Sequence, residues 1–569
     1  MIIKKYYLLP LILTCLATVV SCSKQSNEIT DTNLSDVTLI VNADIVTMNA
    51  QQPSANAMAF SGDDIIAIGS EAEVRRAINK YTRLHDLNGK TIVPGFIETH
   101  DHLYMSSSTS VITDVSPFST PTLAEALNKI KNTVINEEGW IIAFGADQTL
   151  YAEQRGPTRD LLDKLFPNTP VMVFHLSGHG GFANSEALKQ AGVNELTENP
   201  RGGFYQKDDN GRLTGYLSGQ PALFTVKNYP NPSPDTAMSA ALMRAEKGIT
   251  TSSELGIMNG TVLAGLQQAT SLPDFPVRVV GGYFSTAPDF DEIVPHLKGY
   301  ENNLLKIPFI KTWTDGSLQG GTAYLRDGYH TKEMGEGEAQ GTQDFFNKQV
   351  LNMYQRGYWP AIHANGDGAV DIALNAIEYA QQTLAEKLDS NIRPQIIHAQ
   401  VTTEEQIKRM AVLNVSPTFF TTHVYYWGDL HYEKTLGAQR AERLSAMADA
   451  FKYGVNPSMH NDPPVSPIDP LLNMWIAVNR TSKTGRVLGK NQAISPQQAL
   501  AAYTTNAAYQ FGMEKTNGSL EVGKLADFVI LDKNPLKVDS DEIRNINVLT
   551  TVRGGLITFS SGSGLDEGE

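Results

Sequence analysis

Apolar runs of strand length alternate with longer amphipathic stretches along nearly the whole chain. Near the start, residues 37–41, 45–48 and 57–68 read as short strands, and the Gly62-Asp63-Asp64 turn between two apolar runs predicts a hairpin. The same texture returns at residues 518–532 and 548–559. Neither end alone supplies enough strands for a stable sheet. The pattern therefore predicts one β-sandwich built from both termini, residues 37–90 and 512–560. In between, strand-like runs alternate with helical patterns such as residues 404–413 and 497–509, which implies a parallel α/β core.

Several inner runs end in polar, metal-competent residues, which favours a barrel with its chemistry at the carboxyl ends of the strands. Spacing agrees. One βα unit takes about 30 residues; His363 and His398 stand 35 residues apart, one unit, and His398 and Asp462 stand 64 apart, two units. His102 and Lys311 are 209 residues apart, far beyond the roughly 90 that three units need. The expected fold class is α/β: a TIM-type (β/α)8 barrel over residues 91–511, an inserted subdomain at about residues 105–245, and the two-ended sandwich.

Length and charge narrow the picture. A chain of 569 residues should form two or three folding units. Its 46 basic and 61 acidic residues give a net charge of −15, which argues against nucleic acid as a partner, since such binding needs a basic face. Residues 1–21 read as a targeting segment: Lys4 and Lys5 precede an apolar run over 6–20, too short for a membrane span, and Cys22 follows a small residue. That resembles a bacterial lipoprotein signal, with residues 22–36 as a polar tether. The expectation is an exported protein of the bacterial cell envelope, periplasmic or outer-membrane, held to the membrane by a lipid anchor. Cys15 and Cys22 are the only cysteines, so the body has neither a disulfide nor a thiolate metal ligand. Any metal there must be held by histidine, carboxylate or a lysine-derived group.

The run 91–97 leads into Glu98-Thr-His100-Asp-His102. On a strand, side chains alternate faces, so these two histidines would project together and form half a shell for an ion such as zinc. Four further segments carry polar residues at the ends of apolar runs. They are Lys311-Thr-Trp-Thr-Asp315-Gly-Ser, His363-Ala-Asn-Gly-Asp367, His398-Ala-Gln and His460-Asn-Asp462-Pro-Pro-Val. Together with the terminal Gly-Ser-Leu-Glu-Val-Gly-Lys-Leu-Ala-Asp527 string, they resemble, in order, the motifs of the amidohydrolase superfamily, in particular its amidohydrolase-3 (YtcJ-like) branch.

That resemblance implies roles. His100 and His102 would ligate the more buried metal, and His363 and His398 a second. Lys311 would bridge both as a carbon dioxide-derived carbamate if the site is binuclear. Asp462 would touch metal and water and act as the catalytic proton carrier. The cofactor is a divalent metal, Zn(2+) by ligand type, one or two per site. Substrate contacts are expected from His179, His423, Trp427 and His460, and ligand-orienting hydrogen bonds from Asp315 and Asp367. His85, His296, His330 and His431 read as surface or loop residues. The chain departs from the family pattern at Glu98, Ile397 and His460, which bears on substrate more than on chemistry. The implied function is metal-dependent hydrolysis of an amide or N-acyl C–N bond in a small molecule. Two alternatives stand beside it: a deaminase of the same superfamily, disfavoured because no glutamate follows His363 closely, and a non-catalytic binding lipoprotein. A homo-oligomer is compatible with the sequence.

Overall fold

The computed structural model describes residues 36–565 apart from 79, 201, 228, 335 and 336; the signal segment and nearly all of the tether lie outside the described residues. Eight strands, labelled in chain order, form one sheet: β1 (Phe96–Ile97), β2 (Ile249–Ile257), β3 (Arg278–Phe284), β4 (Leu305–Trp313), β5 (Trp359–Ala364), β6 (Gln395–His398), β7 (Ser416–Phe419) and β8 (Ser458–Met459). They lie side by side in sequence order and every adjacent pair is parallel. The sheet curls, so that Thr99 Oγ1, just past β1, reaches Thr418 Oγ1 at 2.7 Å and Ser458 Oγ at 2.9 Å on β7 and β8.

Helices follow the strands, and their limits have local causes. Glu404–Leu413 matches the sequence expectation: Thr403 and Gln406 form a capping box, and Asn414 ends the helix in the left-handed region at φ 53°. Its Ile407, Met410 and Leu413 face the core at helical spacing. The helix expected over 497–509 is instead two, Pro496–Tyr503 and Thr505–Gln510. Thr504 breaks it, with its hydroxyl bonded back to the Leu500 carbonyl at 2.7 Å. Inside the curl, Ile97, Leu255, Val280, Phe309, Ala361 and Ile397 form one apolar layer, sealed by Ala507, Ala508 and Phe511. Each such large side chain contributes roughly 1.5–3 kcal/mol by leaving water, and the layer is the floor on which the polar strand ends stand.

Strands from both ends of the chain share a sheet. Phe528–Leu531 runs antiparallel to Thr91–Pro94, which pairs in parallel with Asp44–Val46. Val548–Arg553 and Leu556–Ser560 extend the same sheet. A second sheet of four strands comes from the N-terminal end alone and contains the hairpin Ala57–Ser61/Asp64–Gly69. Ile40, Phe60, Ile92, Phe528 and Ile530 pack in one core between them, with Phe60 edge-on to Phe528 at 5.8 Å.

Between β1 and β2 lies another six-stranded sheet, with strands from Thr113–Asp114 to Leu213–Ser218. One face of its core continues into Phe420, Trp427 and Val465, which sit beyond the carboxyl ends of β7 and β8. The insertion therefore roofs the end of the parallel sheet where the polar residues gather. Among the described residues no helix is long and apolar enough to cross a membrane.

Candidate metal centre

β1 stops at Ile97, so His100 and His102 lie in the turn after it rather than on the strand. Tertiary contacts, not pleat, bring their rings together, 5.0 Å apart and nearly perpendicular. The close approach begins at Gly95, where a Cβ would fall 2.1 Å from Thr250 Oγ1. Asp101, between the histidines, is turned away and fully buried. It takes Arg244 Nε at 2.9 Å and Nη2 at 2.7 Å. Glu254 on β2, also buried, accepts the amides of Tyr104, Met105 and Gly256 at 2.7, 2.9 and 2.9 Å and faces His102 Nδ1 at 3.7 Å. These carboxylates set the turn that aims the two imidazoles.

Lys311 and Trp313 share the inner face of β4 with Phe309, as period-two alternation requires, and His363 sits two residues beyond Ala361 on β5. His398 breaks this rule. Ile397 occupies the inner layer, yet the His398 ring also comes inward, because His398 and Ala399 adopt left-handed backbone at φ 73° and 45°. Such residues cost on the order of 1–3 kcal/mol each and cluster where function demands them. Asp462 is likewise left-handed, at φ 53°.

These groups converge. His100 Nε2 lies 3.3 Å from Asp462 Oδ1, His102 Nε2 lies 3.7 Å from the same oxygen, and His398 Nδ1 lies 3.9 Å from Asp462 Oδ2. His398 Nε2 and His363 Nδ1 are 3.1 Å apart. Ligand atoms of His100, His398 and Asp462 all fall within 4.8 Å of one another, the span of a coordination sphere. His100 Nδ1, Lys311 Nζ and Asp462 Oδ1 are buried with no hydrogen-bond partner among the described residues. Buried polar atoms are rarely left so, and a cluster of them is what a cation would satisfy.

Electrostatics agree for all but His102, whose burial is outweighed by Glu254 and Asp462, so that it is raised. Burial first, then the neighbouring Lys311 amine, holds His100, His363 and His460 well below the usual imidazole range; for His398 burial and then His363 do the same. Neutral imidazole is the ligand form. Burial lowers Lys311 toward a neutral amine against the opposing pull of Asp462, and raises Asp462 against His102 and Lys311. Lys311 does not pair with Asp315. That carboxylate accepts the amides of Asn365, Gly366 and Tyr324 at 3.0, 2.9 and 3.0 Å and faces His363 Nε2 at 3.4 Å. Gly366 is needed there, since a Cβ would lie 2.0 Å from the Tyr324 carbonyl.

The expected substrate contacts divide. A cavity of about 150 Å³ opens over His100, His102, His363, His398 and Asp462, and His179 from the insertion lines it. His179 sits 5.6 Å from the His363 ring, and burial holds it down at about 4. His423, Trp427 and His460 do not line it. Trp427 is a core side chain, stacked on His423 at 4.4 Å with Nε1 donating to Asp147 at 3.3 Å. His460 stands beside His398, Nε2 to Nδ1 3.3 Å. His431, read as a loop residue, is fully buried with Nε2 3.0 Å from His423 Nδ1. Asp367 accepts the Arg326 amide at 3.0 Å and orients a loop, not a ligand. Sequence reasoning missed Asp101, Arg244 and Glu254. A lone carboxylate inside the buried run 249–257 was a signal for Glu254; nothing along the chain points to Arg244.

Residues 83–559 match a family model described as "Amidohydrolase family". The chain is 28% identical over 546 residues to an N-substituted formamide deformylase of Arthrobacter pascens, covering 92% of this chain and 98% of that protein. It is 26% identical over 528 residues to the putative amidohydrolase YtcJ of Bacillus subtilis (strain 168), covering 88% and 97%. Among solved structures, an uncharacterized metal-dependent hydrolase from Pyrococcus horikoshii OT3 superposes with a TM-score of 0.70 at 23% identity, covering 89% of this chain and 99% of that one. This likeness gives a TIM-like α/β fold.

Proposed function

The chain belongs to the amidohydrolase family, and we propose that it is a metal-dependent hydrolase cleaving an amide or N-acyl C–N bond of a small molecule. The observation that carries this is the set of buried, unpartnered donor atoms on His100, Lys311 and Asp462, ringed by His102 and by His363 and His398, the last two held neutral by burial, within a few ångströms. These residues fit a divalent cation, and zinc suits a set of imidazole and carboxylate donors without thiolate. When bound, such an ion supplies Lewis acidity, lowering the pKa of water and polarising a carbonyl.

The remaining chemistry belongs to the chain. Asp462, whose carboxylate burial biases toward holding a proton, takes one from the attacking water and delivers it to the leaving nitrogen. Glu254 and Asp101 fix the turn bearing His100 and His102, and His460 orients His398. His179 and Trp313 border the cavity beside His363. Lys311 supports a two-metal form: its neutral amine nitrogen adds to carbon dioxide, loses one proton and becomes a carbamate with two oxygen donors. The bonds from Thr99 to Thr418 and Ser458, with those from Asn461 to Glu98 at 2.8 and 2.7 Å, support closure of the parallel sheet into a (β/α)8 barrel. Lys4, Lys5, the apolar run and Cys22 support export and lipid attachment.

A deaminase is disfavoured by the segment after His363, where Ala-Asn-Gly replaces an acid and Asp367 is engaged elsewhere. The name of the Arthrobacter relative makes N-substituted formamides the first substrates to assay. The decisive test pairs the zinc-loaded protein with Asp462→Asn. The variant should retain at least one metal ion by elemental analysis while amide turnover falls by about 100-fold or more. Full activity in the variant, or turnover unaffected by removing metal with a chelator, would overturn the reading.

A further inference from the structure

The cavity has two walls of different chemistry. One carries His100, His102, His363, His398 and Asp462; the other comes from the insertion, with His179, Phe144 at the end of Ile141–Ala146, Leu176 past Val171–His175, Phe224 on Gln220–Val226, and Tyr229. Phe174 stacks on Tyr229 at 4.0 Å, and Phe144 and Phe224 close around it at 6.4 and 6.2 Å, so this wall is a braced aromatic cluster. Among the described residues lining the cavity, no arginine, lysine or glutamate appears, and Asp462 is the only carboxylate. The neutral polar groups are few. The Tyr229 hydroxyl is buried without a partner and offers one hydrogen bond.

Resting on the amide-hydrolase reading, we propose that the substrate bears a neutral, apolar substituent the size of one aromatic ring, seated against Phe144, Phe224 and Tyr229. N-acyl amino acids fit this wall poorly. Seated against it, their carboxylate would meet no arginine or lysine, and an unpaired buried charge is among the costliest arrangements a site can hold. Size sets an upper bound: the whole cavity, catalytic end included, is about 150 Å³, and a void on that order holds about one benzene-sized ring. The insertion thus selects substrate while the parallel sheet supplies the chemistry.

The test uses the full, zinc-loaded chain and two matched pairs: an N-acetyl arylamine against an N-acetyl amino acid of similar size, and two methyl ketones isosteric with them, which bind but cannot be hydrolysed. The neutral amide should be turned over with kcat/KM about 100-fold above its carboxylate partner, and the neutral ketone should bind more tightly by a similar factor in calorimetry. Phe224→Arg should narrow or reverse both ratios, while Phe224→Leu should keep their direction. Equal binding and equal turnover of the charged and neutral members would overturn the proposal and leave amide hydrolysis standing. Selective binding of the neutral ketone without turnover of any amide would do the opposite: the substituent preference holds and the amide reading falls. Should Phe224→Arg not fold, the wild-type ketone pair still decides.

Discussion

Replacing Arg244 by leucine strands a carboxylate behind the metal-binding turn. The Arg244 side chain is 4% exposed and that of Asp101 is fully buried, and they share two hydrogen bonds of 2.9 and 2.7 Å. Removing one partner of such a pair typically costs about 3–5 kcal/mol, because the remaining charge keeps its desolvation penalty and loses its compensation. Asp101 still accepts the His102 amide at 2.7 Å and the Ser252 hydroxyl, which places the expected loss near the lower figure. The assay is urea unfolding of the metal-free protein, followed by tryptophan fluorescence and compared at constant slope. Asp101→Asn combined with Arg244→Leu should recover at least about 1 kcal/mol of the loss, since the stranded charge is gone. Because Asp101 lies between His100 and His102, the proposed ligands, Arg244→Leu should also weaken zinc binding by about 10–100-fold. A cost below about 1 kcal/mol, the worth of a surface pair, or strict additivity in the double variant, would refute the idea that this pair braces the site.

Lys311→Met removes a buried amine with no partner. The metal-free protein should gain about 1–3 kcal/mol of stability, while metal content falls toward one ion and added bicarbonate no longer affects it; unchanged content of two ions would count against the carbamate. Gly366→Ala should cost about 1–3 kcal/mol, because the new methyl meets the backbone carbonyl of Tyr324, which cannot swing aside; calorimetric melting reads this directly. Glu404 is held down at about 2, chiefly by the Tyr453 hydroxyl and then Lys408. Its folded value lies below its ordinary one of 4.5, so its stabilising contribution is complete above that pH and is lost as pH falls through 4.5 toward 2. The stability difference between wild type and Glu404→Gln should therefore be flat at neutral pH and shrink below 4.5; a difference that stays constant down to pH 3 would contradict it.

The chain's own pattern determined the alternation of strand and helix, the helix Glu404–Leu413 with its caps, and the recurrence of strands at both ends. Those are local properties, set by side-chain period and by which residues cap or turn. It also marked His100, His102, Lys311, His363, His398 and Asp462, because a polar side chain ending an apolar run is conspicuous wherever the chain later goes. Direction was another matter. Alternation alone would send His398 away from Lys311 and His363, and only left-handed backbone at His398 and Ala399 turns it inward. Roles that depend on neighbours far along the chain were equally hidden. Arg244 meets Asp101 across 143 positions, and Trp427 finds Asp147 across 280. Burial and pairing are properties of the packed whole, so the folded arrangement alone decided which histidines face the cavity and which merely brace those that do.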